Sequence, residues 1–453
     1  MKSEINELYG DMPIIKTLIV CGEYYFYDSF TNQILQISKE QFIEICQLKE
    51  VGLAEYEKLK KQSQAYKDII MLIKQGFLKE KFINSIEHND TNFITCLTDR
   101  CINQLVLEVT TGCNFMCRYC HQASYGIHHM THMSRDIALR SVDFLFEHSK
   151  DAREVLITFY GGEPLINFEL IKTVVFYADE KFKTKPVRFN ITTNASLFTD
   201  EIINFFIKYH ISVLISIDGD EEFQNNHRKF AIDGTDTYKT VWANIMHIKE
   251  QFPIYFETYI RFNSVIFEDQ DIKRIKEFYE NNNIPKSAYD LRKAELSGID
   301  YLYSIYELNK HNDSECFEER YQVPLNKLIN KKEIFQTWHH DGPCVPAVRR
   351  LFISTVGNFF PCEKIDCDTA CLIGDLNTGI DIKKVDQLLN IGRLTQEECK
   401  TCWSLRFCSM CASHCRDNGA LSRNKKLSYC TRQREDVAKF LVDYIKHHKG
   451  YMN

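Results

Sequence analysis

A chain of 453 residues with a net charge of −6 is too long for one ordinary domain and lacks the basic footprint of a general nucleic-acid binder. Hydrophobic residues at 44% and charged residues at 26% predict a soluble globular protein with apolar mass for real cores. No apolar run approaches the roughly 18 residues that a bilayer crossing needs, and Met1 to Glu7 show neither an h-region nor a cleavage site, so a cytoplasmic protein without a membrane partner is expected.

Residues 1–90 hold no ligand-like cluster. Ile14 to Val20 reads as a strand. The aromatic and β-branched runs Tyr24 to Tyr27 and Ile34 to Ile37, joined by Asp28 to Gln33, read as a hairpin. Ser38 is an N-cap with Gln41 at the capping-box position, ahead of a helix near 39–50. A second helix, about 64–76, carries Tyr66, Ile69, Ile70, Leu72 and Ile73 and stops at Gly76. The polar stretch from Asn84 to Asp99 is the expected linker.

The chain holds 18 cysteines, too many for chance burial in a reducing compartment, so metal or redox chemistry is the better expectation. Just after the apolar run 105–109, Cys113, Cys117 and Cys120 share one tight loop, with Tyr119 before the last of them. Thiolates so spaced can converge on one metal centre, either three irons of a 4Fe–4S cluster or part of a zinc site completed by His121. The CxxxCxxC spacing resembles the signature loop of radical S-adenosylmethionine (radical SAM) enzymes. The resemblance implies that the fourth iron is open to the amino and carboxylate groups of SAM.

From Gln104 to about Glu280 the chain alternates short β-rich runs with amphipathic helices. Strands are expected at 104–110, 154–160, 187–193, 211–217, 254–262 and near 288–294, and helices near 135–148, 166–182, 199–208 and 237–250. Such alternation predicts an α/β fold with a parallel sheet, doubly wound or a barrel. The resemblance implies the partial (β/α)6 TIM barrel of the radical SAM core, with ligands at the carboxyl ends of the strands. There stand Gly161, Gly162, Glu163 and Pro164, whose glycines let the backbone approach a ligand and whose Glu163 offers a carboxylate to the SAM amino group. Ser216 and Arg228 match family positions that reach the SAM ribose and carboxylate. Asn194 is carried over with them, although Asn at a strand end commonly forms turns. His121, His128, His129 and His132 follow the cluster loop and receive no role.

Cys344, Cys362, Cys367, Cys371, Cys399, Cys402, Cys408, Cys411, Cys415 and Cys430 crowd the last quarter of the chain. Their pattern resembles the SPASM domain, whose auxiliary 4Fe–4S clusters occur in peptide-modifying radical SAM enzymes; paired zinc ribbons are the alternative. The resemblance implies one cluster on Cys399, Cys402, Cys408 and Cys430. A second would draw on Cys344 and Cys362 with Cys411, Cys415 or both, and Cys367 and Cys371 could fill a gap. The family spacing after Cys408 lands on Ala412, so Cys411 is the favoured ligand here. An iron left open could take a substrate thiolate.

The expected enzyme therefore has three parts: a winged-helix-like peptide-recognition module (1–90), a radical SAM core (100–320) and a SPASM domain (335–440). Its cofactors are SAM and 4Fe–4S clusters, one binding SAM and two auxiliary. Its partners are a ribosomal precursor peptide, leader plus Cys-rich core, and a reductant such as flavodoxin or ferredoxin, with no nucleic acid. The expected reaction joins a peptide Cys sulfur to carbon, as in sactipeptide and ranthipeptide maturases. Alternatives are an anaerobic sulfatase maturase with Glu363 as a base, a C–C crosslinking maturase, and a non-catalytic zinc or iron–sulfur protein.

Overall fold

The computed structural model describes residues 12–52, 55–56, 58, 64–79, 83–120, 130–268, 270–293, 337–365 and 368–448. His121, His128, His129, Cys367 and the stretch expected to close the core between 294 and 320 lie outside them.

Three antiparallel strands open the chain in the order β1 (Ile15–Val20), β2 (Glu23–Asp28), β3 (Gln33–Ile37). The helix α1 (Lys39–Val51) starts at Ser38, where the expected capping box forms with Gln41. Side chains alternate across a strand, so this sheet has two apolar faces to cover. With α2 (Gln64–Lys74), α1 covers Ile15 and Phe26 on one face through Ile45, Leu48, Ile69 and Ile73. Leu18, Val20, Tyr25 and Tyr27 on the other face meet Val437, Leu441 and Ile445 near the end of the chain.

The stretch 84–99 folds instead of linking. β4 (Ser85–Ile86) pairs in parallel with Thr337 and Trp338, and α3 (Ile94–Arg100) follows. Ile83, Ile86 and Ile94, scattered among polar residues, are all buried and draw the segment in.

The chain continues with β5 (Gln104–Thr110), the short β6 (Phe115–Cys117), α4 (Arg135–His148), β7 (Val155–Gly161), α5 (Phe168–Lys181), β8 (Val187–Thr193) and α6 (Asp200–Lys208). Then come β9 (Ser212–Ser216), α7 (Glu221–His227), β10 (Arg228–Phe230), α8 (Tyr238–Gln251), α9 (Pro253–Tyr259), β11 (Ile260–Ile266), α10 (Asp271–Asn281) and β12 (Tyr289–Lys293). Strands β5, β7, β8, β9, β11 and β12 lie side by side in that order, all parallel. The order never reverses, which separates it from a doubly wound sheet and matches successive staves of a barrel. The strand expected at 254–262 is a correction: Pro253 opens α9, and β11 begins only at Ile260.

After β13 (Thr337–Trp338), β14 (Leu351–Ile353) pairs in parallel with β5. β15 (Asn358–Phe360), β16 (Gly374–Asp375) and β17 (Gly379–Ile380) then extend the same sheet antiparallel. α11 (Ile382–Leu389), α12 (Gln396–Lys400), β18 (Arg416–Asp417), β19 (Ala420–Leu421) and α13 (Arg423–His448) complete the chain. One apolar core runs from Ile94 through the parallel strands to Cys415. No helix among the described residues is long and apolar enough to cross a membrane.

Candidate active site

The cysteine loop after β5 is held from outside. Its middle, β6, pairs antiparallel with β10, setting Cys117 opposite Arg228 and Phe115 opposite Phe230. The Arg118 N–H donates to the His227 carbonyl at 2.9 Å, so the loop following β9 grips the loop following β5. Cys113 and Cys117 are half-buried and Cys120 is exposed. Burial pushes the Cys113 thiol up to about 12 and the Cys117 thiol to about 11. Thiols that resist ionising alone give up their protons to a metal centre, whose charge replaces the missing solvent.

Among the described residues no three His, Cys, Asp or Glu side chains converge tightly enough for a single metal ion. A tetrahedral zinc draws thiolates to about 2.3 Å, whereas an iron–sulfur cluster holds them apart by its own width.

Next to the loop, the turn after β7 closes on its base. The Gly162 N–H donates to the Thr110 carbonyl at 3.0 Å and the Glu163 N–H to the Gly112 carbonyl at 2.9 Å. A Cβ on Gly161 would collide with the Thr110 carbonyl, and one on Gly162 with the Gly112 carbonyl. The two glycines are therefore needed for loop-on-loop packing, and not only for approach to a ligand. Pro164 opens a 3₁₀ turn that Glu163 caps.

Glu163 is fully buried. Its Oε1 accepts from the Thr193 hydroxyl at 2.7 Å and the Leu165 N–H at 3.1 Å, and its Oε2 accepts from the Asn194 N–H at 2.7 Å. A carboxylate offers about four acceptor positions, so among the described residues one stays open on Oε2. Cys113 lies within electrostatic reach. Burial pushes the Glu163 carboxyl up to about 7, against the pull of those three donors. A buried acceptor of this kind, beside Cys113, fits a ligand ammonium.

Asn194 serves the loop. Its side-chain amide donates to Asn114 Oδ1 at 2.9 Å, and Asn114 in turn donates to Ser196 at 2.8 Å, tying the residue after Cys113 to the end of β8. Arg228, expected on a ligand carboxylate, is buried and donates through Nε and Nη2 to Asp218, each at 2.9 Å. Its Nη1 lies 3.9 Å from Cys117 Sγ. Tyr119 donates its hydroxyl to Asp218 at 2.7 Å while its ring packs on Phe267. Tyr119 and Arg228 thus stand behind the cysteine loop, joined by a residue that the sequence reading passed over, since Asp-Gly after a strand reads as a turn. Ser216 is half-buried at the end of β9, beside Asn263 of β11, whose side-chain oxygen is buried without a hydrogen-bond partner.

The C-terminal cysteines form two neighbourhoods. Cys399, Cys402, Cys408 and Cys430 are within electrostatic reach of one another, with Lys426 among them. Cys362, Cys371, Cys411 and Cys415 form the second, with Cys415 also in reach of Lys426 and Cys430, and Arg350 links Cys362 to the exposed Cys344. Cys371 is fully buried there. Burial raises Cys362, Cys371 and Cys415 to about 12. For Cys411 burial acts in the same direction, but hydrogen bonds from His414 and Ser413 outweigh it and hold the thiol at about 7. Beside Cys362, Glu363 Oε1 accepts from Arg350 at 2.5 Å, and Glu363 Oε2 is buried without a partner.

The sequence profile of the Radical SAM superfamily matches residues 107–280. Over 238 residues the chain is 27% identical to the radical SAM cyclopropyl synthase TigE of Paramaledivibacter caminithermalis, covering 49% of this chain and 47% of the synthase. The chain thus spans about half the length of that relative. Over 366 residues it is 22% identical to the cysteine-type anaerobic sulfatase-maturating enzyme of Clostridium perfringens, covering 74% of this chain and 95% of the relative. The solved structure of native anSMEcpe with bound AdoMet and Cp18Cys peptide shares its fold, with a TM-score of 0.51 at 18% identity over 76% of this chain and 99% of the other.

Proposed function

We propose that this chain, whose residues 107–280 form a radical SAM domain, is an enzyme that modifies a ribosomally made Cys-rich peptide, joining Cys sulfur to carbon in thioether crosslinks. A 4Fe–4S cluster and SAM bound here supply a 5′-deoxyadenosyl radical, able to remove hydrogen from an unactivated carbon. The chain's own residues do the rest. Cys113, Cys117 and Cys120 hold the cluster, the open position on Glu163 takes the SAM ammonium, and Ser216 takes a ribose hydroxyl. Tyr119, Asp218 and Arg228 keep the loop in register.

Cys399, Cys402, Cys408 and Cys430 are the proposed ligands of one auxiliary cluster, within a SPASM-like region at 335–440. Cys344, Cys362 and Cys411 serve the other. A set short of one ligand has room for the substrate sulfur, and the buried Cys371 and Cys415 compete for that place. The leader of the peptide adds as a strand to an edge of the β1–β2–β3 sheet, the winged-helix-like module of 1–90. Electrons come from a flavodoxin or ferredoxin.

The carrying observation is the open, buried acceptor of Glu163 beside Cys113 at the carboxyl end of parallel strands. Anaerobically reconstituted protein, given SAM, reductant and the Cys-rich peptide encoded next to it, should release 5′-deoxyadenosine. The peptide should lose about 2 Da per crosslink together with one alkylatable thiol. Retained thiols with the same mass loss would point to C–C crosslinking. SAM cleavage that survives simultaneous Cys113→Ala, Cys117→Ala and Cys120→Ala would overturn the reading.

A second reading rests on Glu363. Its buried, unpartnered Oε2 beside Cys362 is placed to take a proton from a substrate Cys or Ser, as formylglycine formation requires. Loss of the substrate sulfur to an aldehyde, trapped by hydrazine, would favour it.

A further inference from the structure

Lys426 is 0% exposed in the first turn of α13. Its Nζ donates to the Thr395 hydroxyl at 2.6 Å and the Ile391 carbonyl at 3.0 Å, and lies 3.8 Å from Cys399 Sγ. No carboxylate among the described residues pairs with it. A fully buried ammonium with only neutral oxygens around it is strongly unfavourable unless a negative charge stands nearby. Among the described residues no acidic side chain supplies one, and the thiol of Cys399 stands in that place. His340, 2% exposed, adds a ring nitrogen at 3.6 Å from the same sulfur, and Thr395 a hydroxyl at 3.2 Å.

The second cysteine neighbourhood is built differently. Its own cations, Arg350 and Arg416, are each matched by a carboxylate, Glu363 and Asp368, and Lys426 reaches this set through Cys415, without a hydrogen-bond-range contact to its sulfur like the one to Cys399. Four thiolates around a doubly positive iron–sulfur core leave net negative charge, which grows on reduction. A fixed cation favours the more negative form, and so do donors to a ligand sulfur.

We propose that Lys426, seconded by His340, is a positioning residue that raises the reduction potential of the auxiliary cluster on Cys399, Cys402, Cys408 and Cys430 above that of its neighbour on Cys362. An electron entering the auxiliary pair then leaves the Cys362 cluster oxidised and the Cys399 cluster reduced. The inference rests on the auxiliary-cluster reading of these cysteines.

The test is an EPR-monitored potentiometric titration of the full chain, reconstituted with iron and sulfide, as wild type, Lys426→Met and Lys426→Arg. In Lys426→Met the reduced-to-oxidised ratio of one auxiliary signal at fixed potential should fall at least tenfold, about 59 mV for one electron, while the other signal moves by less. Lys426→Arg should keep the wild-type midpoint. Unchanged midpoints in Lys426→Met with iron retained would overturn the role of Lys426. Should Lys426→Met not hold iron, Lys426→Gln, which removes the charge while keeping a donor for Thr395 and Ile391, decides in the same way: a lowered midpoint supports the proposal and an unchanged one sinks it. Wild-type protein that loads iron for the Cys113 site alone would remove the underlying reading along with the proposal, a result recognisable from its iron count.

Discussion

Because three acceptor positions of Glu163 are filled by Thr193, Leu165 and Asn194, the protonation of its open oxygen governs whether an ammonium can bind. Burial lifts this carboxyl from its ordinary 4.5 to about 7. The folded state therefore favours the protonated form. The group's contribution to stability is full below about 4.5 and is lost as pH rises through about 7. Ligand binding runs the opposite way, since it needs the carboxylate. SAM affinity of the reconstituted protein, measured by equilibrium dialysis, should rise about tenfold from pH 6 to pH 8. Glu163→Gln should bind more weakly with a flat profile, and an equally steep profile in that variant would remove the role. The cysteines and Glu163 were legible because ligand spacing and Gly-Gly-Glu-Pro are local patterns. Asp218, Lys426 and His340 were not. A buried lysine or an aspartate behind a loop has no signature in its neighbours along the chain, only in what the fold packs against it.

At the scale of elements, the site depends on two loops that touch before any ligand arrives. Gly161 has φ +139°, a region that side chains avoid, and its missing Cβ leaves room for the Thr110 carbonyl. Gly161→Ala should therefore cost about 3 kcal/mol or more in urea unfolding and loosen the cysteine loop, with iron content falling by one cluster. An Ala variant with wild-type stability and iron would show that the turn can move away at little cost. The βα alternation was readable in outline, since each unit announced itself by its period, but it left a doubly wound sheet and a barrel both open. What failed were local conflicts. Residues 254–262 look like a strand by composition, yet Pro253 starts a helix in which Tyr255 and Tyr259 stack at 5.3 Å, one turn apart. Residues 84–99 look like a linker, yet Ile86 and Ile94 bury themselves, with Ile83 just ahead of them. The β6–β10 pairing was invisible for a different reason: its strands are three residues each and more than a hundred positions apart.

Across the whole molecule, α13 joins regions that sequence alone treats as strangers. Its first turns carry Lys426 and Cys430, and its last turns, through Leu441 and Ile445, cover one face of the N-terminal sheet. The cysteine loop between Cys402 and Cys408 meets that sheet as well. Arg406 donates to the Ser29 carbonyl at 2.8 Å, and Phe407 packs on Tyr27 with ring centres 5.7 Å apart. Burial removes solvent from this guanidinium and pulls its affinity for a proton below the ordinary value, so its contacts with the β2–β3 turn must compensate. The N-terminal sheet and the Cys399, Cys402 and Cys408 region are thus two ends of one packed unit. Leu441 is fully buried between them, and Leu441→Ala removes methyl groups from a site with little freedom to collapse, a loss of about 2–5 kcal/mol. If packing transmits through α13, the variant should release iron faster from the C-terminal sites on dilution into chelator, while the Cys113 site, which α13 does not carry, keeps its wild-type rate. Equal release from all sites would mean that the variant merely lowers global stability. Unchanged release would mean that the helix is two independent halves.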